Sequence, residues 1–127
     1  MIVGSLVLLF VMALSACTKD DDTNISKPTA VVSAPTDGST YHSGDQLPIE
    51  VVFEDADELH EYSVEVLDKN LNTTIFSMSG HSHNKIMTID TMVTLNVAMH
   101  SDFEMTVEVS NHNGEEAKET VEFHVHP

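Results

Sequence analysis

Near the C-terminus two runs of strict alternation flank an Asn-Gly dipeptide. Met105, Val107 and Val109 precede Asn111-His112-Asn113-Gly114, and Val121, Phe123 and Val125 follow it. A period of two sends successive side chains to opposite faces of an extended chain, so each run carries one apolar and one polar face. Two such runs around a turn of this composition read as a β-hairpin. Its apolar face needs a second layer to cover it, which rules out an isolated sheet.

The same period recurs upstream. Thr29 to Ala34 reads as a first strand, closed by the turn Pro35-Thr36-Asp37-Gly38. Ile49, Val51 and Phe53 define a second, and Tyr62, Val64 and Val66 a third. Thr73 to Met78 suits a short edge strand. Met87, Ile89, Val93, Leu95 and Val97 share one parity, broken at Thr91, and fit two strands or one bent strand. About seven short strands in one domain of this size predict a single all-β, immunoglobulin-like antiparallel β-sandwich over residues 28–127.

The chain ahead of that domain has a different character. Residues 1–16 hold no charged side chain and fall short of the ~20 apolar residues that span a bilayer as a helix, so they read as a removable signal peptide. The apolar run stops at Leu14-Ser15-Ala16-Cys17, and Cys17, the one cysteine, has no partner for an internal disulfide. Leu-Ser-Ala-Cys resembles the lipobox of bacterial lipoproteins. That resemblance implies that Cys17 becomes the first mature residue and carries acyl chains, which attach the protein to a membrane without a spanning helix. Residues 17–27 are polar and aperiodic, as expected of a flexible tether. Within them Lys19-Asp20-Asp21-Asp22 resembles the export signal of surface-displayed lipoproteins of Bacteroidota. It implies the outer face of the outer membrane, with a periplasm-facing position as the alternative.

A formal charge of -16, with no Arg in the chain, argues against nucleic acid as a partner, because phosphate binding depends on clustered cations. No Gly-rich phosphate loop, nucleophile elbow or His-Glu-x-x-His helix is present, so an enzyme is not expected. Pro-Thr-Asp-Gly-Ser, Phe-Glu-Asp-Ala-Asp-Glu-Leu and Val-Ser-Asn-His-Asn-Gly, in that order, resemble small immunoglobulin-like lipoprotein domains of Bacteroidota. Gly80-His81-Ser82-His83 is similar to the Gly-His-x-His element of an uncharacterised family among them. The resemblance implies a binding role and transfers no catalytic residue.

Histidine sets the chain apart from an ordinary sandwich: there are 8, at 42, 60, 81, 83, 100, 112, 124 and 126. With Val121, Phe123 and Val125 turned inward, His124 and His126 face outward together. A register pairing Val107 with Val121 would set Glu104 opposite His124 and Asp102 opposite His126, with His100 continuing the stripe. Imidazole nitrogens with a carboxylate oxygen suit zinc or copper(II). His81, His83, His100, His124 and His126 are therefore the candidate metal ligands, with Asp102 and Glu104 as carboxylate candidates. Cross-strand pairing of His124 and His126 with those acids, worth ~0.2–1 kcal/mol each, accounts for the same residues without a metal. Strand polarity sends His100, His124 and His126 to one pole, joined by His42, and His60 and His112 to the other with the acidic loop Glu54 to Glu58. His81 and His83 are assigned to neither. Met99, beside His100, adds a soft thioether candidate.

Two functional readings follow. One is a metal-binding envelope lipoprotein that captures or buffers zinc or copper. The other is an accessory or adhesive module that presents loops or an edge strand to a protein or glycan partner, its histidines incidental.

Overall fold

The computed structural model describes residues 24–127. The expectations for the signal peptide, Cys17 and Lys19, Asp20, Asp21 and Asp22 lie outside the described residues. Within them the chain forms strands and no helix: β1 Thr29–Ala34, β2 Ser39–His42, β3 Gln46–Glu54, β4 Leu59–Asp68, β5 Thr73–His81, β6 Ile86–Thr94, β7 Ser101–Asn111 and β8 Glu116–His126. They build a three-stranded sheet in the order β1-β3-β6 and a five-stranded sheet in the order β2-β8-β7-β4-β5. This is a β-sandwich of immunoglobulin type, with the last hairpin and β4 in one sheet and the first long strands in the other.

Alternation becomes burial as the sequence requires. Leu47, Ile49, Val51 and Phe53 of β3 are fully buried, as are Val64 and Val66 of β4 and Met105 and Val107 of β7. Val125 and Phe123 of β8 join them, and Phe103 and Phe123 stack with ring centroids 5.3 Å apart. Each fully buried Val, Leu, Ile or Phe contributes about 1.5–3 kcal/mol of hydrophobic stabilisation.

Four features depart from the sequence reading, three of them in the extent of the strands. There are eight strands: Ser39–His42 has no apolar alternation, yet it pairs in parallel with β8, placing His42 beside His126. The apolar parity from Met87 to Val97 covers one strand and a loop, since β6 ends at Thr94 while Leu95 remains buried beyond it. The edge strand β5 runs on past Met78 to His81.

The fourth departure concerns register. Met105, not Val107, pairs with Val121, so Asp102 lies opposite His124 and Glu104 opposite Glu122. The turn is the cause. Asn111 N donates to Glu115 O at 3.0 Å and Gly114 N to Asn111 O at 3.3 Å, with Gly114 at φ 82°. Asn111 Oδ1 also accepts the N–H groups of Asn113 and Glu115, both at 3.0 Å. These bonds close a three-residue loop with a left-handed glycine, and that loop length dictates every pair behind it.

Candidate metal centre

Strand direction collects side chains at two ends of the sandwich. One pole holds the end of β2, the loop before β7 and the end of β8. His42, His100, His124 and His126 meet there. The other holds the turns β3–β4, β5–β6 and β7–β8, with His60, His81, His83 and His112. No histidine lies between the poles. The expected separation of His100, His124 and His126 from His60 and His112 is thus what the strands produce, and His81 and His83 belong with the latter pair.

At the first pole His100 Nδ1 lies 3.3 Å from His124 Nε2 and 2.8 Å from His126 Nδ1. One ligand atom from each of the three falls within 4.8 Å of the others. Ligand nitrogens at ~2.0–2.1 Å from a tetrahedral zinc stand about 3.3–3.4 Å apart. The first separation matches that edge, and the second has to open by about half an ångström, within reach of a side-chain rotation.

The pair with Asp102 sets the chemistry of His124. Asp102 Oδ1 is 2.7 Å from His124 Nδ1. An ionised carboxylate only accepts, so Nδ1 carries the proton and Nε2 turns its lone pair toward His100. A carboxylate behind a histidine in this way orients the ring and raises its basicity toward a metal. Asp102 therefore stands behind a candidate ligand, and Glu104, which sequence reasoning grouped with it, lies across from Glu122 and outside the three-histidine cluster. The cross-strand pairing expected as the simpler use of these residues is present as a hydrogen bond between His124 and Asp102.

His126 is held below the usual imidazole value, first by burial and then by repulsion from His100, His124 and His42. The neutral, ligand-competent form is favoured. His42 packs beside His126, the two ring centroids 5.4 Å apart and the planes tilted by 33°.

The backbone around these rings is tied down. Ser43 N donates to His126 O and Gly44 N to Leu95 O, both at 2.7 Å. Asp45 caps the end of β2 by accepting His42 N at 2.8 Å, and Asn70 Oδ1 accepts Asp102 N at 2.8 Å. Below, Phe123 and Val125 anchor β8 in the core. His124 and His126 stand on the end of β8, and His100 lies one residue before β7. Met99 is exposed beside it.

At the opposite pole Asp55 has a structural part. Although it sits in the acidic loop, it is 2% exposed. Burial alone would raise its pKa, but the Ser26 hydroxyl, the Asp57 N–H and the Asn111 side chain together hold it below the ordinary carboxylate value. Asn111 Nδ2 also donates to Ser26 O at 2.8 Å, so the chain enters the domain against the β7–β8 turn. One acidic residue among several in a loop carries no local sequence signal of such burial.

No family model and no curated protein matches the chain. Similar solved structures include CopC from Methylosinus trichosporium OB3b, with 15% identity, TM-score 0.47 and coverage of 81% of this chain and 95% of that one. Fibronectin(III)-like modules of CbhA from Clostridium thermocellum show 12% identity and TM-score 0.45, covering 76% and 94%. Spo0M, a sporulation control protein from Bacillus subtilis, shows 9% identity and TM-score 0.49, covering 80% of this chain and 49% of that one.

Proposed function

We propose that this chain is a non-enzymatic, lipid-anchored binding protein of the cell envelope that captures or buffers zinc or copper(II) at His100, His124 and His126. The observation that carries the reading is the convergence of one nitrogen from each of these three imidazoles within 4.8 Å, with Asp102 behind His124. The three imidazoles bring ring nitrogens to 2.8 and 3.3 Å of one another, and a divalent cation bound there would take the place of the protons they share. Grouping of the histidines also favours this role over that of an accessory module with incidental surface histidines.

The anchor gives the site a direction. With Cys17 acylated and Ser26 docked at the β7–β8 turn, the intervening chain reaches at most about 30 Å. The three-histidine pole then points away from the membrane, toward the medium if Lys19 to Asp22 direct surface display and toward the periplasm otherwise.

Isothermal titration of the full chain with zinc and with copper(II), in a Cys17→Ala background that removes the competing thiol, tests the metal. Binding at micromolar or tighter affinity that is lost in His124→Ala with His126→Ala supports the reading. No heat at micromolar metal rejects it. Fatty-acid labelling of the wild-type chain against Cys17→Ala tests the anchor separately.

A further inference from the structure

The pole beside the chain entry carries a second set of convergent ligands. His112 Nε2 stands 3.3 Å from His83 Nδ1 and 3.9 Å from Glu58 Oε2. Glu61 Oε1 stands 3.9 Å from His81 Nδ1 and 4.0 Å from His60 Nε2. In both groups the three ligand atoms fall within 4.8 Å of one another. The groups share no residue, so neither takes a ligand from the other. They adjoin, the rings of His60 and His112 being 4.4 Å apart.

Their placement is built by the fold. Ser82 N donates to His60 O at 2.9 Å, Leu59 N to Asn84 O at 3.0 Å and Asp55 N to Lys85 O at 2.9 Å. These bonds stitch the β5–β6 turn to the β3–β4 turn. Ser82, between the two histidines of the turn, is buried and its Oγ accepts Asn84 N at 3.2 Å. His81 and His83 consequently flank a fixed point, one toward Glu61 and the other toward His112. His83 lies nearly parallel to His112, at 8° and 5.4 Å.

Two imidazoles with one carboxylate are a ligand set that holds zinc and leaves a coordination position open. Each carboxylate also offsets part of the charge of a divalent ion from within the ligand set, whereas at the three-imidazole pole the carboxylate of Asp102 stands behind His124. We propose that this pole is a second metal centre, in which Glu58, His83 and His112 hold one zinc-class divalent cation and His60, Glu61 and His81 another. The proposal shares with the proposed function the premise that the chain binds metal, but it uses none of the same ligands. Its capacity is three ions per chain, with two of them next to the tether.

The experiment counts ions. The full chain with Cys17→Ala is titrated with zinc chloride and weighed by native mass spectrometry, with circular dichroism confirming the strand signal in every variant. His124→Ala with His126→Ala is expected to retain two zinc ions at micromolar affinity. His83→Ala with His112→Ala is expected to lose one ion relative to its parent, and adding His60→Ala and His81→Ala to lose a second. The inference is overturned if the His124, His126 variant binds no zinc, or if the four-histidine variant keeps the parental count. If the quadruple variant instead fails to fold, the exposed His83, His112 pair decides alone, and an unchanged count overturns the proposal. A His124, His126 variant indistinguishable from its parent would reject the first-pole reading and leave this one standing.

Discussion

Asp102 and His124 occupy directly paired positions on β7 and β8, and their side chains meet at 2.7 Å between Oδ1 and Nδ1. That contact defines which nitrogen of His124 is free. It also gives Asp102 a role that does not require it to touch a metal. Asp102→Asn keeps the size of the side chain and removes its charge. Zinc affinity is expected to fall by about 10–100-fold while all three imidazoles remain. Titration of the variant checks this, and unchanged affinity would show that Asp102 does not orient the ligand.

Acid should weaken both the fold and the proposed metal site through His126. Its folded pKa lies below the usual imidazole value, because of burial first and then its histidine neighbours. The unfolded chain takes up the same proton near about 6.5. Between the two values the unfolded state binds more protons, so the stability His126 contributes is complete above about pH 6.5 and is lost as pH falls through the folded value. The denaturant midpoint of the metal-free chain is expected to drop on going from about pH 7.5 to about pH 5.5, with a smaller drop in His126→Asn. Zinc affinity should decline over the same interval, since protons compete for the ligand nitrogens.

Asp55 has the opposite chemistry and a lower window. Its pKa is depressed because hydrogen bonds from Ser26, Asp57 and Asn111 outweigh burial. Its contribution is therefore present above about pH 4 and is lost as pH falls through the folded value. Asp55→Ala leaves Asn111 Nδ2 with only Ser26 O as acceptor. A loss of about 1–3 kcal/mol is expected in denaturant unfolding near neutral pH, together with a shallower acid dependence. A variant as stable as the parent would place the chain entry elsewhere in the energetics.

Gly80 fits the space under Tyr62. A Cβ at that position would lie 2.7 Å from the Tyr62 hydroxyl oxygen and 3.0 and 3.2 Å from ring atoms. Tyr62 and Gly80 are direct cross-strand partners, so either the phenol ring or the edge strand β5 must shift to admit a methyl group. Gly80→Ala is expected to cost about 1–3 kcal/mol, as overpacking does. Tyr62→Ala removes the obstacle, so the double variant should lose less than the sum of the two single changes. Strict additivity in that cycle would show that the two residues do not clash.

Gly80-His81-Ser82-His83 shows how a short motif divides into parts. Gly80 accommodates Tyr62, Ser82 is buried in the turn, and only His81 and His83 face ligand positions. The spacing marks the motif in the sequence. Its partners His60, at the start of β4, and His112, in the β7–β8 turn, are distant along the chain, and single histidines at such places carry no sign of convergence.

What the sequence determined by itself was the strands and their faces. Alternation is a local property, and burying one face of each run needs no knowledge of its partners, so Val121, Phe123 and Val125 turn His124 and His126 outward in any sandwich. Strand polarity likewise separated His100, His124 and His126 from His60 and His112. Tertiary structure decided the pairing. The hydrogen bonds of Asn111 at the β7–β8 turn set a register that exchanges Glu104 for Asp102 as the partner of His124. Backbone bonds between two turns decided that His81 and His83 join His60 and His112. Apolar alternation tolerates a shift of two residues without changing which face is buried, and only the closure of a particular turn removes that freedom.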